Sequence, residues 1–284
     1  QVMLAPFLQF FQSDGRHFQI VSQTIFVCIG ILFLRWDYSF TSMLLTFGVA
    51  LSTQLIGIYF LKLPMHSIKS ALITAFGLTL LFKSNEPLLY ALAAFIAIGQ
   101  KFILKIRGQH LFNPANVGII AVILFTQKAW ISPAQWGNST LIIFVIGSAG
   151  LAVLSRVKRI DTGLIFIATL FTLEYMRTMV YLGWNWEVLF HKLSSGSIWL
   201  FALFMITDPM TIPTNRLVRI VWTMAVAFTS FYLTNFHFVT GAPLWALVCF
   251  TPLTPLLNKF FPSETFNWIH SSQKQFNHDS KIAY

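Results

Sequence analysis

The chain has 284 residues, of which 56% are apolar and only 10% charged, with a formal net charge of +10. A soluble domain carries nearer a quarter charged residues, and here the apolar excess runs the whole length, so the composition excludes an ordinary soluble fold and favours one integral membrane domain. The basic residues form no stripe on one face but fall in small groups between apolar runs, which fits membrane topology and excludes nucleic acid as the partner.

Residues 1–18 read as an interfacial amphipathic segment or the remains of a processed start. Gln1 to Phe11 is apolar and short, Ser13-Asp14-Gly15-Arg16-His17 is polar, and no small-residue cleavage site follows. A spanning helix needs roughly 20 mostly apolar residues. Runs of this kind follow at Gln19–Leu34, Phe40–Leu61, Ser67–Leu81, Leu88–Leu104, Phe112–Phe125, Leu141–Leu154, Thr162–Tyr181, Leu189–Ile206, Leu217–Thr234 and Ala242–Phe260. They predict an all-α integral membrane protein of about ten transmembrane helices, divided into a first half at 19–156 and a second at 157–261, with a polar cytoplasmic tail at 262–284. Ser67–Leu81 and Phe112–Phe125 are short, and short or proline-interrupted runs at matching places of two halves mark broken helices around a midplane site.

Charge orients the chain. With the N-terminus inside and every run crossing, the inside segments hold Arg16, Lys62, Lys69, Lys101, Lys105, Arg107, Arg156, Lys158, Arg159, Arg216, Arg219, Lys259, Lys274 and Lys281. The outside holds Arg35, Lys83, Lys128, Arg177 and Lys192. This bias supports a multi-pass protein of a bacterial-type inner (plasma) membrane with both termini cytoplasmic. Trp36, Trp130, Trp136, Trp184 and Trp186 then fall near the outer boundary, as an aromatic belt does. Cys28 and Cys249 lie inside apolar runs without ligand-spaced partners; they read as small buried side chains, with a metal cluster shared with another subunit left open.

Two polar breaks carry the candidate chemistry. In Arg107-Gly108-Gln109-His110-Leu111-Phe112-Asn113-Pro114-Ala115-Asn116, Asn113 suits an N-cap and Pro114 the first helical turn. The free N–H groups of such a helix start can hold an anion, with Arg107 and His110 adding positive charge. In Thr207-Asp208-Pro209-Met210-Thr211, an aspartate caps a proline-started turn, and Arg216 and Arg219 are its candidate partners. The plainer reading of both is a capped boundary with snorkelling basic residues. Glu174 and Arg177, three residues apart, predict a pair on one helical face, and Gln54, Thr74, Gln100 and Thr172 predict bonds to neighbouring helices. No serine triad, phosphate-cradling glycine loop or His/Cys metal site is present in the sequence, so the metal sites are none.

With Ser70-Ala71-Leu72-Ile73-Thr74, Gly108-Gln109-His110-Leu111-Phe112-Asn113-Pro114-Ala115 and Phe204-Met205-Ile206-Thr207-Asp208-Pro209-Met210-Thr211, the chain resembles the NqrB/RnfD family, membrane components of the sodium-pumping NADH:quinone oxidoreductase and of the Rnf electron-transport complex. The resemblance covers about residues 20 to 262. It implies a ten-helix fold built as a five-plus-five inverted repeat, like urea and ammonium transporters. It also implies flavin-linked electron transfer coupled to sodium or proton movement, with other membrane subunits and the lipid bilayer as partners. Arg107, His110, Asn113, Asn116, Thr207, Asp208 and Thr211 become the candidate cofactor-binding residues. Relatives with covalent FMN carry a Ser-Gly-Ala-Thr signature that this sequence lacks; Thr140, in Asn138-Ser139-Thr140-Leu141, is the sole candidate for such a bond. The implied cofactor is therefore FMN or riboflavin without a covalent link. A chain with no cofactor, serving as a structural or docking subunit, and a small-solute or ion transporter are the alternatives. If the chain takes part in catalysis, it does so as one subunit of a membrane oxidoreductase of the translocase type.

Overall fold

The computed structural model describes residues 14–36, 39–106, 109–132, 146–151, 154 and 159–263. Arg107, Trp136, Thr140, Arg156 and Lys158, the segment 1–13 and the tail from 264 onward lie outside the described residues, as does half of the run Leu141–Leu154.

Within the described residues the predicted apolar runs are helical, with Leu189–Ile206 and Ala242–Phe260 each divided into shorter pieces. Helix α1 is Arg16–Leu32, α2 Phe40–Leu61, α3 Ile68–Leu81, α4 Pro87–Ile103 and α5 Pro114–Thr126. The second half holds α6 Ile160–Tyr175, α7 Trp186–Leu193, α8 Gly196–Leu200, α9 Arg216–Phe236, α10 Ala242–Phe250 and α11 Thr254–Phe260. Two π-helical stretches, Met176–Tyr181 and Phe201–Met205, extend α6 and α8. The boundaries have local causes. Pro87 and Pro114 sit in the first turns of α4 and α5, where a missing N–H costs nothing. Lys62 and Gln127 turn left-handed after α2 and α5, so the chain leaves the helix there.

Among the described residues, three helices are long and apolar enough to cross a membrane: Phe40–Leu61, Ile160–Tyr181 and Arg216–Phe236. They become four if the pair Trp186–Leu193 and Gly196–Met205, bent by 50°, counts as one broken span. Large apolar side chains stand on the outside of these helices, among them Phe40, Tyr59 and Phe60 on α2 and Leu217, Val221 and Phe228 on α9. An apolar exterior of this extent fits contact with lipid better than with water. Cys28 and Cys249 belong to it: both are exposed, not buried as predicted, because each points away from the helix packing.

Helices α3 and α5 are short, about 20 Å each at 1.5 Å per residue. At their C-terminal ends a two-stranded antiparallel ladder joins β1 (Phe82–Ser84) to β4 (Ala129–Ile131). A second small ladder, β2 (Lys105–Ile106) with β3 (Gln109–His110), folds the chain back between α4 and α5. Small residues let these helices close up. Ala93, Ala94 and Ala97 of α4 are fully buried, and a Cβ on Gly118 of α5 would stand 2.6 Å from the Ala93 carbonyl oxygen and 2.8 Å from the Ala97 Cβ. Gly163 of α6 meets the Ala202 carbonyl in the same way. Gly118→Leu forces backbone apart, and overpacking of this kind costs about 1–3 kcal/mol. The expected outcome is a lower unfolding midpoint in detergent than for a leucine placed at Gly48, which faces open space.

Candidate functional site

The two proline-broken segments, far apart in sequence, meet in space. The Asn113 Oδ1 accepts from the Asn116 backbone N–H at 3.1 Å and so caps α5. The Asn113 Nδ2 donates to the Met205 carbonyl and to the Asp208 Oδ2, both at 3.4 Å. Asp208 in turn caps its own turn: its Oδ1 accepts from the Met210 N–H at 3.1 Å, and its carbonyl accepts from the Thr211 N–H and hydroxyl. The N-cap on Asn113 and the aspartate-capped turn thus form as predicted, Asp208 capping a turn and no helix.

Beside this junction lies a cleft of ≈ 270 Å³. One wall is Ser70, Thr74 and Gly77 of α3; another is His110, Asn113 and Pro114; a third is Met205, Thr207, Asp208 and Pro209. Arg16, Gln19 and Gln23 of α1, Gln54 of α2, and Lys101 and Lys105 complete it. Both short helices begin at this cleft.

Lys101 is the residue whose surroundings the charge count does not show. It counts as one more inside cation in the sequence, yet it is 3% exposed on α4, with its Nζ donating to the Ser70 Oγ at 2.9 Å and the Gln54 Oε1 at 3.4 Å. Gln54 also donates to the Ser67 Oγ, the cross-helix bond expected of it. The sequence signal was the pair Gln100-Lys101 inside an apolar run, since a cation there is costly and therefore functional by default. Among the described residues no carboxylate pairs with Lys101. The field of Asp208 still reaches it, and burial pushes the Asp208 carboxyl up to about 6, with the Met210 N–H and Lys101 opposing.

Of the predicted site residues, His110, Asn113, Thr207 and Asp208 line the cleft. His110 does not add the expected positive charge: burial, with Lys101 and Lys105 nearby, pushes its imidazole down to about 3. Thr207 spends its hydroxyl on the Leu203 carbonyl. Asn116 and Thr211 turn away from the cleft. Asn116 is fully buried and donates to the Leu244 carbonyl at 3.0 Å, tying α5 to α10, and the Thr211 carbonyl accepts from the Thr254 hydroxyl.

Other expected partnerships are corrected. Arg216 and Arg219 serve Asp161 and not Asp208, because the first turn of α9 packs on the start of α6. Glu174 pairs with Lys192 of α7 at 2.9 Å and accepts from the Asn235 side chain, whereas Arg177 reaches the Asn235 carbonyl and lies over the Phe236 ring. The π-helical stretch starting at Met176 breaks the three-residue register that would have joined Glu174 to Arg177. Thr74, Gln100 and Thr172 bond carbonyls of their own helices at Ser70, Ala97 and Ala168.

No family model matches the chain, and no curated protein matches it.

At the rim, Asp14 anchors the start of α1 by accepting from Arg16 at 2.7 Å and from Lys69 of α3 at 3.0 Å. Burial opposes its ionisation, but the bonds from Arg16 and Lys69 prevail and hold the carboxyl down to about 2. A folded pKa below the ordinary 3.8 stabilises the fold above about pH 4, and that contribution is lost as pH falls toward 2. Asp14→Asn removes it. Between pH 5 and pH 2.5 the wild type should lose up to about 2 kcal/mol more unfolding free energy than the variant, read by denaturation in detergent.

Proposed function

We propose that this chain is a multi-pass membrane subunit of an electron-transfer complex, and that the cleft at Asn113 and Asp208 holds FMN or riboflavin without a covalent link. One observation carries the reading: the Phe-Asn-Pro-Ala and Thr-Asp-Pro elements, on which the family resemblance rests, close on a single polar cleft with a buried lysine in its wall. The cleft lies near the small end of ligand pockets, which run to about 300–1,000 Å³, and its open side leaves room for a longer tail.

The wall offers what a flavin ring needs. Leu203, Phe204 and Met205 supply apolar surface, and Gln19, Gln23 and Gln54 supply amide donors and acceptors. A flavin supplies one- and two-electron chemistry and gathers negative charge on its pyrimidine edge when reduced. Lys101 and the capped N-terminus of α5 place positive potential at the cleft, and among the described residues no carboxylate pairs with Lys101. The neutral His110 can offer one ring nitrogen as donor and the other as acceptor.

The same reading takes the ten runs as ten spans in a bacterial-type inner membrane, both termini cytoplasmic, arranged as a five-plus-five inverted repeat. Its support is that α5 and α10 are short, apolar and proline-started, and touch through Asn116 and Leu244. Other membrane subunits bring electrons in and out. Passage of an ion or small solute is the second reading, favoured by a buried cation at a helix break. A structural or docking subunit without a cofactor is the third.

The test is purification in mild detergent from cells supplied with riboflavin. The expected outcome is a flavin spectrum lost on denaturation, co-purifying subunits, and roughly tenfold lower flavin occupancy in an assembled Lys101→Met variant, the loss of one charge-assisted contact. A fully assembled preparation without flavin rejects the reading. Flavin that survives denaturation and disappears in Thr140→Ala moves the site to Thr140. Ion or solute flux by the chain alone in liposomes favours the second reading.

A further inference from the structure

A second polar constellation lies apart from the cleft, where two helices of spanning length begin together. Arg159 is the N-cap of α6, and Asp161 sits in that helix's first turn. Arg216 and Arg219 are the first and fourth residues of α9, whose start is capped by Asn215. With Thr214 and Ser263 they line an open depression of ≈ 550 Å³.

Among the described residues, the basic groups there outnumber the acidic ones. Asp161 is fully used: its Oδ1 accepts from the Thr162 N–H at 2.9 Å, and its Oδ2 accepts from Arg219 at 2.9 Å with Arg216 at 3.4 Å. Three guanidinium groups therefore share one carboxylate. Arg219 is 3% exposed and is aimed by its Nη1, which donates to the Pro213 and Thr214 carbonyls, yet its Nε is buried without a partner among the described residues. The Arg159 Nε is likewise buried and unpartnered. Burial, with the neighbouring Arg219, pushes the Arg159 guanidinium down to about 10. Two helix N-termini add their positive ends to the same spot. Helix capping alone would need the single carboxylate already present. A second anion is what would offset the positive charge that one carboxylate cannot.

We propose that this depression binds a phosphate oxyanion, the headgroup phosphate of an anionic phospholipid. Guanidinium forks match phosphate oxygens two at a time. The lipid source follows from what adjoins the arginines. Arg216 is mostly exposed, and the apolar Leu217, Val221, Met224 and Phe228 continue outward along the same helix, a track for an acyl chain. The arginines also belong to the side that carries the excess of basic residues. The site shares no residue with the cleft, so it stands whether or not a flavin binds there.

The test uses the full chain, delipidated in mild detergent, with its unfolding midpoint followed against added phosphatidylglycerol, phosphatidylcholine of the same chains, and sodium phosphate. Phosphatidylglycerol is expected to raise the midpoint saturably while phosphatidylcholine does not. Arg159→Gln with Arg216→Gln is expected to weaken that response roughly tenfold per guanidinium removed. Should the double variant fail to fold, Arg216→Gln alone, at the exposed position, carries the comparison. Saturable stabilisation by sodium phosphate, lost in the same variants, supports the oxyanion site and reassigns its source to free phosphate. Equal stabilisation by both lipids, no stabilisation by any, or a full response in the variants overturns the proposal.

Discussion

The side chain of Asn113 holds together the region on which the rest of the structure converges. A helix that begins within apolar surroundings leaves its first N–H groups without water to bond. Asn113 meets part of that need with its own oxygen and uses its nitrogen to seize the Met205 carbonyl and the Asp208 carboxyl. One carboxamide thereby closes the end of α5 and sets the position of a break nearly a hundred residues later. The cleft lies where α3 and α5 begin and the second break meets them. Asn116 extends the same logic by tying α5 to the first turn of α10.

Burial then decides how each ionisable group behaves. Charge is costly to bury without partners, and the chain answers in three ways. Lys101 is met by the Ser70 and Gln54 side-chain oxygens. His110 stays neutral. Asp161 and Glu174 draw basic partners from other helices, Arg219 and Lys192, and so bind α6 to α9 and to α7. These cross-links join the elements of the second half where small residues cannot, while Gly118 and Gly163 bring backbones into direct contact elsewhere.

Much of the architecture was legible along the chain. Apolar length predicts the helices, and Asn113 and Pro114 mark the start of one because caps and first-turn prolines act locally. The candidate site was legible in part. Asn113 and Asp208 announce themselves as helix-start chemistry, whereas Lys101 looks like any boundary cation. Its role depends on Ser70 and Gln54, which come from two other helices. The arginine assignments failed for the same reason: neighbours in sequence suggested Asp208 for Arg219, and helix packing supplied Asp161.

What the sequence by itself determined is the helical, lipid-compatible character of the protein, the places where its helices begin, and the two polar breaks. These depend on composition and on residues within one turn of each other. Only the tertiary structure decided that the two breaks form one cleft, that Lys101 faces it while Asn116 and Thr211 do not, and that three arginines share one aspartate. Those outcomes depend on which helix faces pack together, and a pattern of apolar residues that runs nearly all the way round each helix does not say which face turns inward.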